Sequence, residues 1–257
     1  MTLHWPIFSK LTMLCQAALL CVGMGMGLSG TLAAATVAGK VELRDSRDPG
    51  VRSRQDYAGV VISLTPVSQD QPKQSEPRAN AKHAVIQQKD KTFSPHVLAI
   101  PAGTFVDFPN LDPIFHNAFS SYSGQIFDVG LYPPGTLRSV RFSREGVVRV
   151  FCNIHSSMSA MIVVLATPYF GVTRSDGSFR LADVPPGDYK LRVVHERSSD
   201  ATLQALTRTI TVGTEPLSVP PLTISEAGYL SIPHKNKFGQ DYGPEMDEHV
   251  IYPAARK

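Results

Sequence analysis

The chain has 257 residues, 42 % of them hydrophobic, and a formal charge of +3. That length suits a leader plus two compact units, and no Lys/Arg run interleaves with aromatics, which excludes nucleic acid as a partner. Three cysteines, two of them within the first 35 residues, exclude a disulfide framework.

The N-terminus reads as a signal peptide over residues 1–35. His4 and Lys10 form the polar start, Leu11–Leu32 is apolar and uncharged, and Ala33-Ala34-Ala35 is a small-residue cleavage site. Its removal predicts an exported, periplasmic protein with no stable membrane insertion; the competing reading is an uncleaved anchor. Cys15, Cys21 and Lys10 leave with the leader, so the mature chain carries a charge of about +2 and one thiol, Cys152. A lone thiol in an exported protein pairs between chains, stays free or binds metal.

Thr36–Leu43 and Ala58–Leu64 read as strands around a charged loop, Arg44–Asp56. Gln69–Lys82 is Gln-, Pro- and charge-rich, which predicts a mobile loop. Strands then follow regularly at Ala84–Gln87, His96–Ile100, Thr104–Phe108, Asn117–Ser120, Leu137–Phe142, Val147–Phe151 and Ala160–Leu165, with Pro/Gly turns between them. No stretch shows helical periodicity. The expected class is all-β, a Greek-key sandwich over 36–166.

A second, smaller β-sandwich is expected over 167–225, built on Asp176-Gly177 and Pro186-Gly187 turns and Tyr189–Val194. Ser198–Leu206 reads as a loop or one helical turn. The tail, 226–257, is polar and turn-rich, which predicts loosely packed surface.

The chemistry concentrates in Cys152-Asn153-Ile154-His155-Ser156-Ser157-Met158, with His116-Asn117 upstream. Two imidazoles, a thiolate and a thioether suit both Cu(I) and Cu(II) moderately, so little has to move when an electron arrives. Zinc prefers four strong ligands and here finds three. A Cys-His hydrolase needs its nucleophile at a helix N-terminus or beside an oxyanion pocket, and no helix is evident. Met161 shares strand parity with Val163 and Leu165 and reads as core, which leaves Met158 as the axial candidate. Asp107 and Asp112 read as turn or surface carboxylates, and His83, His96, His195, His234 and His249 as structural imidazoles.

Cys152-x2-His155-x2-Met158 before an apolar strand resembles the copper loop of the cupredoxins, the amicyanin and plastocyanin type. His116-Asn117 resembles that family's upstream His-Asn pair. The resemblance spans roughly Ala58–Leu165, and Ile154 departs from it where many members carry proline. It implies one copper held by His116, Cys152, His155 and Met158, with Asn117 bonding the ligand loops together. It also implies one-electron transfer to transient redox protein partners rather than an enzyme. The runner-up is a copper-carrying or envelope-associated binding module without a redox role; a third reading is an adhesion or scaffold sandwich. The 167–225 motifs resemble the carboxypeptidase regulatory-like (transthyretin-like) sandwich, which implies a docking or stabilising module.

Overall fold

The computed structural model describes residues 34–68, 82–121, 124–230 and 233–243. The expected signal peptide up to residue 33, the loop at 69–81 and the end of the tail at 244–257 lie outside the described residues, as does His249. The described residues all belong to one compact unit. The fold is all-β.

In chain order the first elements are β1 (Ala35–Arg44), α1 (Pro49–Arg54), β2 (Val61–Pro66), β3 (His83–Val85), β4 (Gln87–Lys89) and β5 (Thr92–Ser94). Then come β6 (Val97–Pro101), β7 (Thr104–Pro109), β8 (Phe119–Ser120), β9 (Phe127–Asp128), β10 (Leu137–Phe142), β11 (Gly146–Phe151) and β12 (Ser159–Leu165). The last are β13 (Phe170–Val172), β14 (Ser178–Val184), β15 (Gly187–Val194), α2 (Asp200–Ala205), β16 (Arg208–Val212), β17 (Leu217–Ser218) and β18 (Leu222–Ser225).

One sandwich faces the sheet β6-β12-β11-β8-β9 against the sheet β10-β7-β3. Between them Val106, Phe108, Phe142, Val148, Val150, Ile162 and Val164 form a closed apolar core, and Cys152 and Met158 lie at its end. The other sandwich sets β1, with β14, β17 and β18, against β13-β2-β15-β16. Its core runs from Val37 and Val41 to Tyr189, Leu191 and Ile224.

A third apolar cluster, Val61, Met161, Val163 and Leu165, joins the backs of the inner sheets. β12 is therefore buried on both faces, Ala160, Ile162 and Val164 on one and Met161, Val163 and Leu165 on the other. Its unbroken run Ala160–Leu165 carries the signature of a strand with two covered faces.

The expected boundary at 166/167 does not follow the strand pairing. β1 pairs with β14 and β18, and β2 pairs with β13 and β15, so residues 35–66 complete the second sandwich rather than the first. Alternation in β1 fixes which face is buried but not which sheet it joins, and β2, buried on both faces at Val61–Leu64, carries no such mark at all. The Asp176-Gly177 turn does form: Gly177 has φ +77°, and a side chain there would run into the Val41 carbonyl oxygen.

A helix absent from the expectation occupies the Arg44–Asp56 loop, and Ser198–Leu206 takes the helical one of its two readings. Asp48 accepts hydrogen bonds from the N–H groups of Gly50 and Val51 and starts α1 at Pro49; Ser199 accepts from Thr202 N–H and starts α2. At six residues each they are too short to show a period, so only their caps mark them in the sequence.

Candidate metal centre

β11 and β12 form an antiparallel pair whose last rung joins Phe151 to Ser159, leaving Cys152–Met158 as the connecting loop. The loop closes on itself: Cys152 N–H donates to the Met158 carbonyl at 3.2 Å, and Met158 N–H to the His155 carbonyl at 3.2 Å. Phe151 also pairs with Phe119 of β8, which carries the segment 116–119 alongside. His116 is held by two backbone bonds with Tyr132, at 3.2 and 2.9 Å. Asn110, fully buried, donates to the carbonyls of Ile114 and Tyr132 and shapes the turn before it.

These elements bring His116, Cys152 and His155 together, with their donor atoms all within 4.8 Å of one another. Among the described residues no other group of three or more His, Cys, Asp or Glu side chains does so. Cys152 Sγ lies 3.9 Å from His116 Nδ1 and 3.7 Å from His155 Nδ1. Two ligands bound to one ion at about 2.0 and 2.3 Å, and opened to a trigonal angle, stand about that far apart. The imidazoles meet edge-on, with centroids 4.9 Å apart. His116 and Cys152 are fully buried and His155 half-buried.

The electrostatics prepare neutral nitrogen and reluctant sulfur. Burial pushes the His116 imidazole below its usual range, against the opposing pull of Asp112. Its Nε2 donates to Asp112 Oδ2 at 2.7 Å, which leaves the Nδ1 lone pair facing Cys152. Burial pushes the Cys152 thiol up, opposed by backbone N–H groups of Ile154, Asn117, His155 and Asn153 that favour the thiolate. A cation among the three donors supplies the missing counter-charge. The set fits one copper ion, whose two oxidation states accept two imidazoles and a thiolate.

Met158 is fully buried in the same core as Cys152, whereas Met161 points to the other face of β12. The strand parity read from the sequence thus separates the two methionines in space.

Asn117 is buried beside His116, but its carboxamide donates to Asp128 Oδ1 at 2.7 Å and to the Gly130 carbonyl at 3.0 Å. The contact with the Cys152 loop comes from its backbone N–H instead.

Asp112 corrects the surface reading. It is 7 % exposed and accepts from the Asp90 and Lys91 backbone N–H groups as well as from His116. Its four-residue spacing to His116 was the available signal. Asp107 bonds Ser139 and His83 away from this centre. His96 and His195 are structural as expected, bonded to Glu196 and Glu226 at 2.8 and 2.7 Å.

The tail is the larger omission. Residues 233–243 lie on the ligand loop: the His234 ring stacks on Phe151 at 4.0 Å, and the Tyr242 hydroxyl donates to the Cys152 carbonyl at 2.6 Å. Its low apolar content carried no hint of this, because the contacts are hydrogen bonds and one imidazole stack.

No protein-family model and no curated protein matches the chain. Among solved structures, 39 % of it is similar to a Cu-containing nitrite reductase from Thermus scotoductus SA-01, at 27 % identity and TM-score 0.32, and it spans 25 % of that chain. A purple cupredoxin from Nitrosopumilus maritimus matches 33 % of the chain over 99 % of its own length, at 26 % identity and TM-score 0.29. Amicyanin from Paracoccus versutus matches 40 % of the chain over 98 % of its own length, at 19 % identity and TM-score 0.31.

Proposed function

We propose that the protein is a cupredoxin-type carrier of single electrons in the periplasm, holding one copper with His116, Cys152, His155 and Met158. The observation that carries this reading is the convergence of two imidazole Nδ1 atoms and one thiol on a single point at the end of a closed core. Copper there supplies a one-electron couple. The chain's own residues keep the donors in place in both states: Asp112 fixes His116, the β11–β12 rung fixes Cys152, and the backbone N–H groups around Sγ stabilise thiolate charge.

Burial of His116 and Cys152 favours retention over delivery, since a cargo site needs exposed, exchangeable donors. His155, half-buried, is the donor nearest to solvent and the place where an electron enters from a transient protein partner. The sandwich of residues 35–66 and 167–225 stabilises the first through the shared seam. Whatever its family, it contributes packing rather than chemistry.

Copper loading followed by visible and electron-spin spectroscopy tests the reading. The expected result is one copper per chain with an intense thiolate band that bleaches and returns on redox cycling. The band should vanish in Cys152→Ser, and a variant that kept it would remove Cys152 from the site. Copper lost to a chelator without any reversible cycle would favour a carrier.

A further inference from the structure

Two separate stretches of chain deliver the donors, one at His116 and one at 152–158, and a metal site keeps its geometry only if they stay in register. The resemblance assigns that tie to Asn117, whose side chain is turned to Asp128 and Gly130 instead. The Asn117 backbone N–H and the Phe119–Phe151 pair already join the two stretches at their base, and the tail adds a second bridge from outside. Lys237 N–H donates to Asn153 Oδ1 at 3.0 Å, on the loop between Cys152 and His155. The same residue's ammonium reaches Asp128 Oδ2 at 2.8 Å, and Asp128 Oδ1 accepts from the Asn117 carboxamide next to His116. One lysine thus touches the supports of both ligand stretches.

Tyr242 adds a second anchor. Its hydroxyl donates to the Cys152 carbonyl at 2.6 Å and sits 3.1 Å from His234 Nδ1, while the His234 ring covers Phe151. Between these anchors the segment holds its own shape. Asn236 Oδ1 accepts from the N–H groups of Phe238 and Gln240, and Gly239 turns at φ +77°. A self-bonded turn bearing two anchors loses little entropy when it docks.

We propose that residues 233–243 are a clasp that fixes the two ligand stretches relative to each other, with Lys237 and Tyr242 as positioning residues of the metal centre. The clasp rests on the copper reading only for its metal readout; its effect on the loop exists without metal.

The test uses the full chain carrying Lys237→Met and Tyr242→Phe together. Lys190→Met, the same change at an exposed position of β15, is the control. In metal-free protein, hydrogen exchange at the amides of 116–117 and 152–158 should quicken about tenfold, the loss expected for two hydrogen bonds of ordinary strength. Exchange in β15 should stay unchanged. In copper-loaded protein, release to a chelator should quicken by a similar factor, and the thiolate band should shift. Wild-type exchange at those amides in the double variant would overturn the clasp. Should the double variant fail to fold, Tyr242→Phe alone removes one oxygen and keeps the ring beside His234, and the same exchange measurement decides. A wild-type chain that takes up no copper sinks the copper reading, and the exchange rates still judge the clasp.

Discussion

The two sandwiches are built from similar apolar strands and differ in how their cores end. The core around Val106, Phe108 and Val150 closes on His116 and Cys152 with His155 at the margin, groups with lone pairs and no ionic partner among themselves. The core around Val41 and Leu191 ends near Glu226, which accepts hydrogen bonds from Arg197, Ser46 and His195. Burial pushes the Glu226 carboxyl up, and those donors more than reverse it, so it is held below the usual carboxylate range. The second end is an ion network centred on Glu226, with only the His195 Nδ1 atom of its ring left without a hydrogen-bond partner among the described residues. The first gathers electron pairs around one point, with Asp112 behind His116 and backbone N–H groups around Cys152. A cluster of the first kind has room for a cation's charge, whereas in the second the carboxylate already has its ionic partners.

The largest effect tests whether the two ends are energetically separate. Leu191 is fully buried in the second core, so Leu191→Ala should cost about 3 kcal/mol of unfolding free energy by denaturant titration. The thiolate band of the copper-loaded protein should not move. A displaced band would show that the second sandwich shapes the site directly, and the contrast would fail. A chain cut at Thr167 is the wrong test, because it strands β1 and β2 without their partners.

Asp112 is next in size. Asp112→Asn keeps the shape and the acceptor for His116 but withdraws the negative charge behind it, which should weaken copper binding about tenfold or more in a competition titration. Unchanged affinity would mean that His116 needs no charge to orient it, and that Asp112 serves only the Asp90–Lys91 turn.

The methionines sharpen the contrast within one strand's width. A thioether gives relatively more stabilisation to Cu(II) than a hydrocarbon does. Met158→Leu should therefore raise the reduction potential by tens of millivolts, where about 59 mV is tenfold for one electron. Met161 faces Val61, Val163 and Leu165. Met161→Leu should cost under about 1.5 kcal/mol and leave the potential in place. Voltammetry giving the reverse pattern would exchange the roles of the two residues.

Much of this was readable before the structure, and the limits are physical. Leu137–Phe142 matches β10 end to end, and Thr104–Phe108, Val147–Phe151 and Ala160–Leu165 fall one residue short of β7, β11 and β12, because apolar runs and turns are local properties. That residues 116, 152 and 155 belong together was legible because loop chemistry is written in residue types. The pairing of β1 with β14 was not, since strand register across more than 100 residues leaves no local trace. Asp112 and the clasp escaped for a related reason. A carboxylate or a lysine reads as surface until its partner is placed in space, and Lys237 finds Asp128 from 109 residues away.

The smallest effect lies on the seam, where the sandwiches meet through charge as well as through Met161 and Val61. His96, just before β6, donates from Nδ1 to the Ser159 carbonyl at 3.0 Å and faces Glu196, just after β15, through Nε2 at 2.8 Å. With acceptors at both nitrogens the ring favours its charged form. The hydrogen bond to Glu196 raises its pKa above the ordinary value, against burial and the nearby Arg149 guanidinium. A folded-state pKa raised above the unfolded one stabilises the fold fully below about pH 6.5, and that contribution is lost as pH rises through the folded value. His96→Gln should therefore cost more stability at pH 5.5 than at pH 8.5. The ring is partly exposed, so the difference between the two costs should stay under about 1 kcal/mol. Denaturant titrations of wild type and variant at both pH values isolate the His96–Glu196 pair, because titrating groups away from it cancel in the comparison. Equal costs, or a larger cost at pH 8.5, would mean that the seam is held by its apolar cluster and that the His96–Glu196 pair adds nothing.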